Sequence, residues 1–206
     1  MEDVLDVYQL PYDAKRPVVC LDETSRQLIG EITPPLPTRP SHQAVYDYEY
    51  VRNGVADLFM CFEPLAAHRF VKVTKTRTKV DFARCLKDLS DTIYPDVDTI
   101  VLVMDNLNTH SLASLYSAFP PEEARRLAKR FVIHHTPKHA SWLDMAEIEI
   151  GVMSRQCLAR RIPTIEELTA QVQAWVTCRN AHKDTVHWHF TTQDARIKLQ
   201  RLYPKI

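Results

Sequence analysis

Residues 98–106 read DTIVLVMDN, five large apolar side chains in a row that stop at Asp105. A strand with one wet face alternates polar and apolar residues, whereas a short unbroken apolar run is hidden on both faces. The run therefore belongs inside a sheet with helices above and below it. Its tip holds a carboxylate where open α/β sheets gather ligands. A chain of 206 residues, 45% of them hydrophobic, has enough apolar surface for one such layered core. The expectation is a single domain over residues 1–206, entered by a polar lead-in at 1–15.

The remaining pattern supplies the other layers. Residues 16–24, RPVVCLDET, form a β-branched strand ending in Asp22 and Glu23. The prolines of EITPPLPTRPSHQ, 31–43, predict an extended irregular loop, because proline donates no ladder bond and restricts its predecessor. Alternation on both sides of Asn53-Gly54 predicts a hairpin of two antiparallel strands, and RFVKVTKT, 69–76, continues the meander. Residues 79–94 place Val80, Ala83, Leu86 and Leu89 at helical spacing, and 111–130 are helical with a break at Pro120-Pro121. RFVIHHTP, 130–137, is a further strand stopped by Pro137. From Asp144 onward the chain reads as helices, one of which starts at Pro163-Thr164 and runs amphipathically through TIEELTAQVQAWVTC. Three antiparallel strands plus two parallel strands, with helices between and after them, make a mixed α/β sheet covered on both faces. That order fits an RNase H-like fold.

Composition removes several function classes. With 26 basic and 26 acidic residues there is no global positive field, so a nucleic-acid partner must be held by local patches. The five cysteines are odd in number and never form a CxxC pair, which argues against a disulfide framework or a zinc ribbon. Gly30, Gly54 and Gly151 are the only glycines, and they build neither a P-loop nor GxGxxG. No apolar run approaches the roughly 20 residues of a membrane span and no secretory segment opens the chain. A soluble, cytoplasmic protein with no membrane partner is expected.

Asp22 and Asp105 both end apolar strands, and on neighbouring strands their carboxylates would lie within a few ångströms. Two such groups repel unless a cation sits between them, and a hard oxygen-loving ion such as Mg²⁺ or Mn²⁺ suits them. Each aspartate alone could equally be a turn former or a helix cap. A third acid lies in TPKHASWLDMAEIEIGV, where Asp144 can cap a helix and Glu147 stands at capping-box spacing from it. Glu149 is the rival, about 200° away round the same helix, so only one of the two can face the aspartates.

The blocks VCLDET, VMDNLNTH and TPKHASWLDMAEIE, followed by RN, WHF and DARIKLQRLYP, resemble the catalytic domain of DDE transposases from bacterial insertion sequences related to the mariner group. The resemblance covers almost the whole chain. It implies an RNase H-like fold whose Asp22, Asp105 and Glu147 hold two Mg²⁺ or Mn²⁺ ions for cutting and joining DNA. In that scheme DMAE stands for the family's NPIE-like block and selects Glu147 over Glu149, Asp22 bridges both ions, and each of the other two acids holds one. Asp105 follows Asp22 by 83 residues and Glu147 follows Asp105 by 42, the latter longer than in mariner, so an inserted loop or helix is expected near Pro120. The implied partners are transposon-end and target DNA and a second copy of the chain in synapsis. The family's helix-turn-helix modules would precede the first acid, already at position 22, so a separate end-binding polypeptide is a further implied partner, and the bacterial cytoplasm and nucleoid the implied location. A non-transposing nuclease of the same fold and an inactive DNA-binding remnant are the alternatives.

Around the triad, Asn106 and His110 follow the second acid in the family's pattern, with a turn-stabilising role equally open. His139 joins His134 and His135 as structural or DNA-contacting rather than zinc-binding, because no cysteine pair accompanies them. Trp142 could stack on a base, whereas Trp175 and Trp188 read as core. Basic groups at 72–79, 125–130 and 155–161 are candidates for backbone phosphates, the middle one reading best as a solvated helix face.

Overall fold

The computed structural model describes residues 1–106, 111–138 and 140–203. Its strands are β1 (Val18–Glu31), β2 (Tyr50–Glu63), β3 (His68–Thr74), β4 (Ile100–Met104) and β5 (Phe131–His135). They form one sheet in the order β3-β2-β1-β4-β5. The pairs β3-β2 and β2-β1 are antiparallel, while β1-β4 and β4-β5 are parallel. This is the expected RNase H-like mixed sheet.

Seven α-helices are described: α1 (Glu2–Tyr8), α2 (Lys79–Asp88), α3 (Ala113–Ala118), α4 (Pro121–Ala128), α5 (Met145–Gln156), α6 (Ile165–His182) and α7 (Thr192–Lys198). Strands β1 to β4 each feed two cores, because successive side chains leave opposite faces. Cys20, Val101 and Val103 pack with Ala146, Met153, Leu168 and Val172, so α5 and α6 cover one face. Val19, Leu21, Leu102 and Met104 pack with Phe82, Leu86, Leu115 and Leu127, so α2, α3 and α4 cover the other. All five residues of β4 are buried, as its unbroken apolar run requires. Helix α2 starts on a capping box between Thr78 and Asp81 and runs on through a π-helical turn, Leu89–Ile93. The break at Pro120-Pro121 separates α3 from α4. Among the described residues no helix is long and apolar enough to cross a membrane.

The sequence expectations need two corrections here. Asn53-Gly54 does not turn the chain: β2 runs straight through it, opposite a register shift between Gln27 and Ile29 of β1. Gly54 has φ of 109°, which a β-bulge needs as much as a hairpin turn does, so one signal served a different structure. The reversal between β1 and β2 is made by the proline-rich segment, itself bridged at Leu36–Val45 and Arg39–His42. The lead-in is not merely polar either. Val4, Leu5, Val7 and Tyr8 bury one side of α1, and Arg196 and Thr192 of α7 bond Glu2 and Asp6 on it.

Helix α5 is fixed in rotation by buried charge. Arg69 of β3 is fully buried and donates to Glu149 of α5 at 2.9 Å, to the Ala67 carbonyl at 2.7 Å and to the Asp184 carbonyl at 2.6 Å. Arg179 of α6 donates to the same Glu149 oxygen at 3.0 Å and pairs with the Asp184 carboxylate. Asn180 bonds both backbone groups of Arg69 at 2.9 Å, and the Arg69 guanidinium lies 4.5 Å from the Phe62 ring centre. Removing one partner of such a set strands the others in a dry site. Glu149→Gln is expected to cost about 3 kcal/mol, read as a lower urea midpoint at unchanged slope. A loss below about 1 kcal/mol would mean that the arginines find other partners.

Candidate active site

Parallel pairing of β1 with β4 sets Leu21 opposite Met104, so the residues that follow, Asp22 on β1 and Asp105 just beyond β4, are side by side. Their faces follow from parity. Asp22 shares the side of Cys20 and Asp105 that of Val103, the face covered by α5. Asp22 does not end its strand as the sequence suggested, since β1 continues to Glu31 along β2. It stands where β4 stops and the β1 edge opens. Asp105 is the first residue beyond β4; its carbonyl faces His135 Nδ1 at 3.2 Å, while Thr136 N–H bonds the Met104 carbonyl.

The third side comes from α5. A 3-10 turn, Ser141–Leu143, leads into Asp144, whose Oδ1 caps the helix by accepting from the Ala146 N–H at 2.9 Å. Glu147 is exposed in the first helical turn, and Glu149 is 1% exposed and held by the two arginines. No capping box closes back from Glu147, whose N–H bonds the Asp144 carbonyl, so its carboxylate is left facing outward.

The acids feel one another. Burial pushes the Asp22 carboxyl up to about 7, helped by the negative charges of Glu23, Asp105 and Glu147 and opposed by the Glu23 N–H that Oδ1 accepts at 2.8 Å. Asp144 is 2% exposed and burial drives it well above the carboxylate range, with Asp22, Glu147 and Asp105 adding to the rise. Its Oδ2 is buried without a hydrogen-bond partner. Sequence reasoning saw Asp144 only as a helix cap; the signal that it joins the acids is its place three residues before Glu147.

Among the described residues no three His, Cys, Asp or Glu side chains are gathered closely enough to hold one metal ion. The donor set nonetheless suits a hard divalent cation: it is all carboxylate, and Asp22, raised first by burial and then by the charges of Glu23, Asp105 and Glu147, carries a negative charge more readily once a cation stands beside it. Of the supporting residues, Asn106 is exposed directly after Asp105, and Trp142 stacks on Trp188 at 6.2 Å. His110 and His139 lie outside the described residues. His134 pairs with Asp3 of α1, and the middle basic group is engaged internally, Arg126 with Glu123 and Asp91 and Arg130 with the Tyr94 carbonyl.

A carboxyl that titrates at about 7 in the folded chain and at its ordinary 3.8 when unfolded binds its proton more tightly when folded. The contribution of this group to stability is therefore fully present below 3.8 and is lost as pH rises through about 7. Without divalent metal, Asp22→Asn is expected to be more stable than wild type by about 2 kcal/mol at alkaline pH, with the gap closing toward pH ~4. Urea melts in chelator at several pH values check this, and a gap independent of pH overturns it.

A search of curated proteins finds no match. Solved structures similar in fold include complexes of the Mos1 transposase. The mariner Mos1 paired-end complex with Mg matches with a TM-score of 0.59 at 13% identity, covering 98% of this chain and 60% of that one. The paired-end complex with Mn gives 0.55 at 14%, covering 88% and 56%, and the Mos1 strand transfer complex 0.55 at 12%, covering 82% and 51%. The chain thus spans about half the length of the structures it matches. The sequence profile described as DDE superfamily endonuclease matches residues 17–169, a span that holds Asp22, Asp105 and Glu147. The chain belongs to the DDE superfamily endonucleases.

Proposed function

We propose that this chain is the catalytic domain of a DNA transposase, cutting phosphodiesters and joining strands with Asp22, Asp105 and Glu147 as its acidic triad. The observation that carries the reading is the side-by-side placement of Asp22 and Asp105 on the face covered by α5, which bears Glu147. The three carboxylates are the groups that would hold two Mg²⁺ or Mn²⁺ ions. Such ions, when bound, activate an attacking hydroxyl and offset charge on the leaving 3′ oxygen of an in-line displacement. The chain's own contribution is placement. The β1-β4 register holds the aspartates together, His135 bonds the Asp105 backbone, and Asp144 caps the turn that carries Glu147.

Partners follow from the charge left over. Arg126, Arg130 and Arg161 are engaged within the chain, whereas Lys75, Lys79, Arg155 and Arg160 are exposed for backbone phosphates. Few cations at zero net charge give weak, salt-sensitive affinity for DNA. End recognition is accordingly assigned to a separate helix-turn-helix polypeptide, and synapsis to a homodimer. Five free thiols, among them Cys61 and Cys85 with sulfurs 3.9 Å apart, suit a reducing compartment such as the bacterial cytoplasm, with the nucleoid as substrate.

Incubation with supercoiled plasmid and Mn²⁺ or Mg²⁺ tests the reading. Wild type is expected to nick and linearise it and to join an oligonucleotide bearing a 3′-hydroxyl. Asp105→Asn and Glu147→Gln should each slow cutting by at least about a hundredfold. Equal cutting by all three proteins would remove the triad from the chemistry. Cutting without joining would favour a non-transposing nuclease. Absence of both cutting and calorimetric Mn²⁺ binding would favour an inactive remnant.

A further inference from the structure

Trp142 is 44% exposed, in the 3-10 turn that runs directly into Asp144 and α5. Its indole lies nearly parallel to Trp188, with centroids 6.2 Å apart and planes 21° apart, and meets Phe190 edge-on at 5.8 Å. Trp188 packs in turn on Tyr8 at 5.3 Å, and the Tyr8 hydroxyl donates to the Leu143 carbonyl at 2.6 Å. The Trp188 N–H donates to the Phe190 carbonyl at 2.8 Å. Four rings from three separate segments are therefore locked to the residue just before the helix cap. Beside them a groove of about 460 Å³ is lined by Tyr8, Tyr12, His187, Trp188 and His189, and the Lys198 ammonium stands 5.6 Å from the Phe190 ring centre.

A tryptophan left this open exposes apolar surface to water, and the rings beneath hold it rigid. Rigid stacked indoles present a flat π-face, the shape that fits a nucleobase. Bases within a duplex have both faces covered by their neighbours, so only an unpaired base can use it. The imidazoles on the rim suit the accompanying phosphates, and the Lys198 ammonium, 4.0 Å from the Asp194 carboxylate, stands on the same side.

We infer that Trp142, backed by Trp188 and Phe190, is a stacking platform for an unpaired base of the DNA strand beside the acidic triad. The inference rests on the transposase reading and adds to it a site for single-stranded DNA. It is tested with two labelled duplexes, one blunt and one with a short single-stranded 3′ overhang, bound to the intact chain in chelator and followed by anisotropy. Wild type should favour the overhang by about tenfold. Trp142→Leu, which keeps an apolar cover over Trp188 but has no ring, should lose that preference and leave blunt-duplex affinity unchanged. Trp142→Phe should retain most of it. A wild type that binds both duplexes equally, or a leucine variant that keeps the preference, overturns the platform while the DNA reading stands. A wild type that binds neither duplex removes both. A leucine variant that changes only the sedimentation of the protein makes the rings a contact between copies and overturns the platform.

Discussion

The buried ion network of Arg69, Glu149 and Arg179 decides how α5 is turned. Three elements meet there, β3, α5 and α6, and the glutamate at their centre is surrounded by protein rather than water. A helix pinned at one position has no rotational freedom left, and a residue two positions away must point to a different side. Glu147 is therefore outward because Glu149 is inward. The same anchoring keeps the Asp144 cap buried, where it meets the field of Asp22 and Asp105.

Much of this was legible in the sequence, for identifiable reasons. The run IVLVM could only be an interior strand, and the carboxylate at its tip needed no tertiary information to find. The acids of DMAEIE were less transparent. Spacing alone leaves Glu147 and Glu149 as alternatives, because which of them is buried depends on an arginine eighty residues before Glu149. Local pattern could not supply that contact. Resemblance to the DDE transposases points to Glu147; in the fold Glu149 is the buried acid of the two and Glu147 the exposed one.

Where the reading failed, a real signal had more than one structural use. Asn53-Gly54 offers positive φ, and the chain uses it for a bulge within a long strand instead of a reversal. The charges of MEDVLDVYQL mask a short amphipathic helix whose apolar side is completed only by α7 and the sheet. Trp188 reads as core and is indeed partly buried, yet what it supports is an exposed partner. Neither ring stack nor groove has a periodicity that could announce it.

The strand β1 outruns its neighbour β4 by ten residues, from Asp22 to Glu31. A strand edge of that length is a template on which a foreign strand could add. Here the segment following α5 lies along it: the Ile29 N–H bonds the Ile162 carbonyl, and the Arg26 guanidinium bonds the carbonyls of Leu158 and Arg160. The roof over that edge is made by the continuation of the helix that carries Glu147. The long ribbon can thus project from the sheet without inviting intermolecular strand addition, and the protection against aggregation is built from the same stretch of chain as the acidic site.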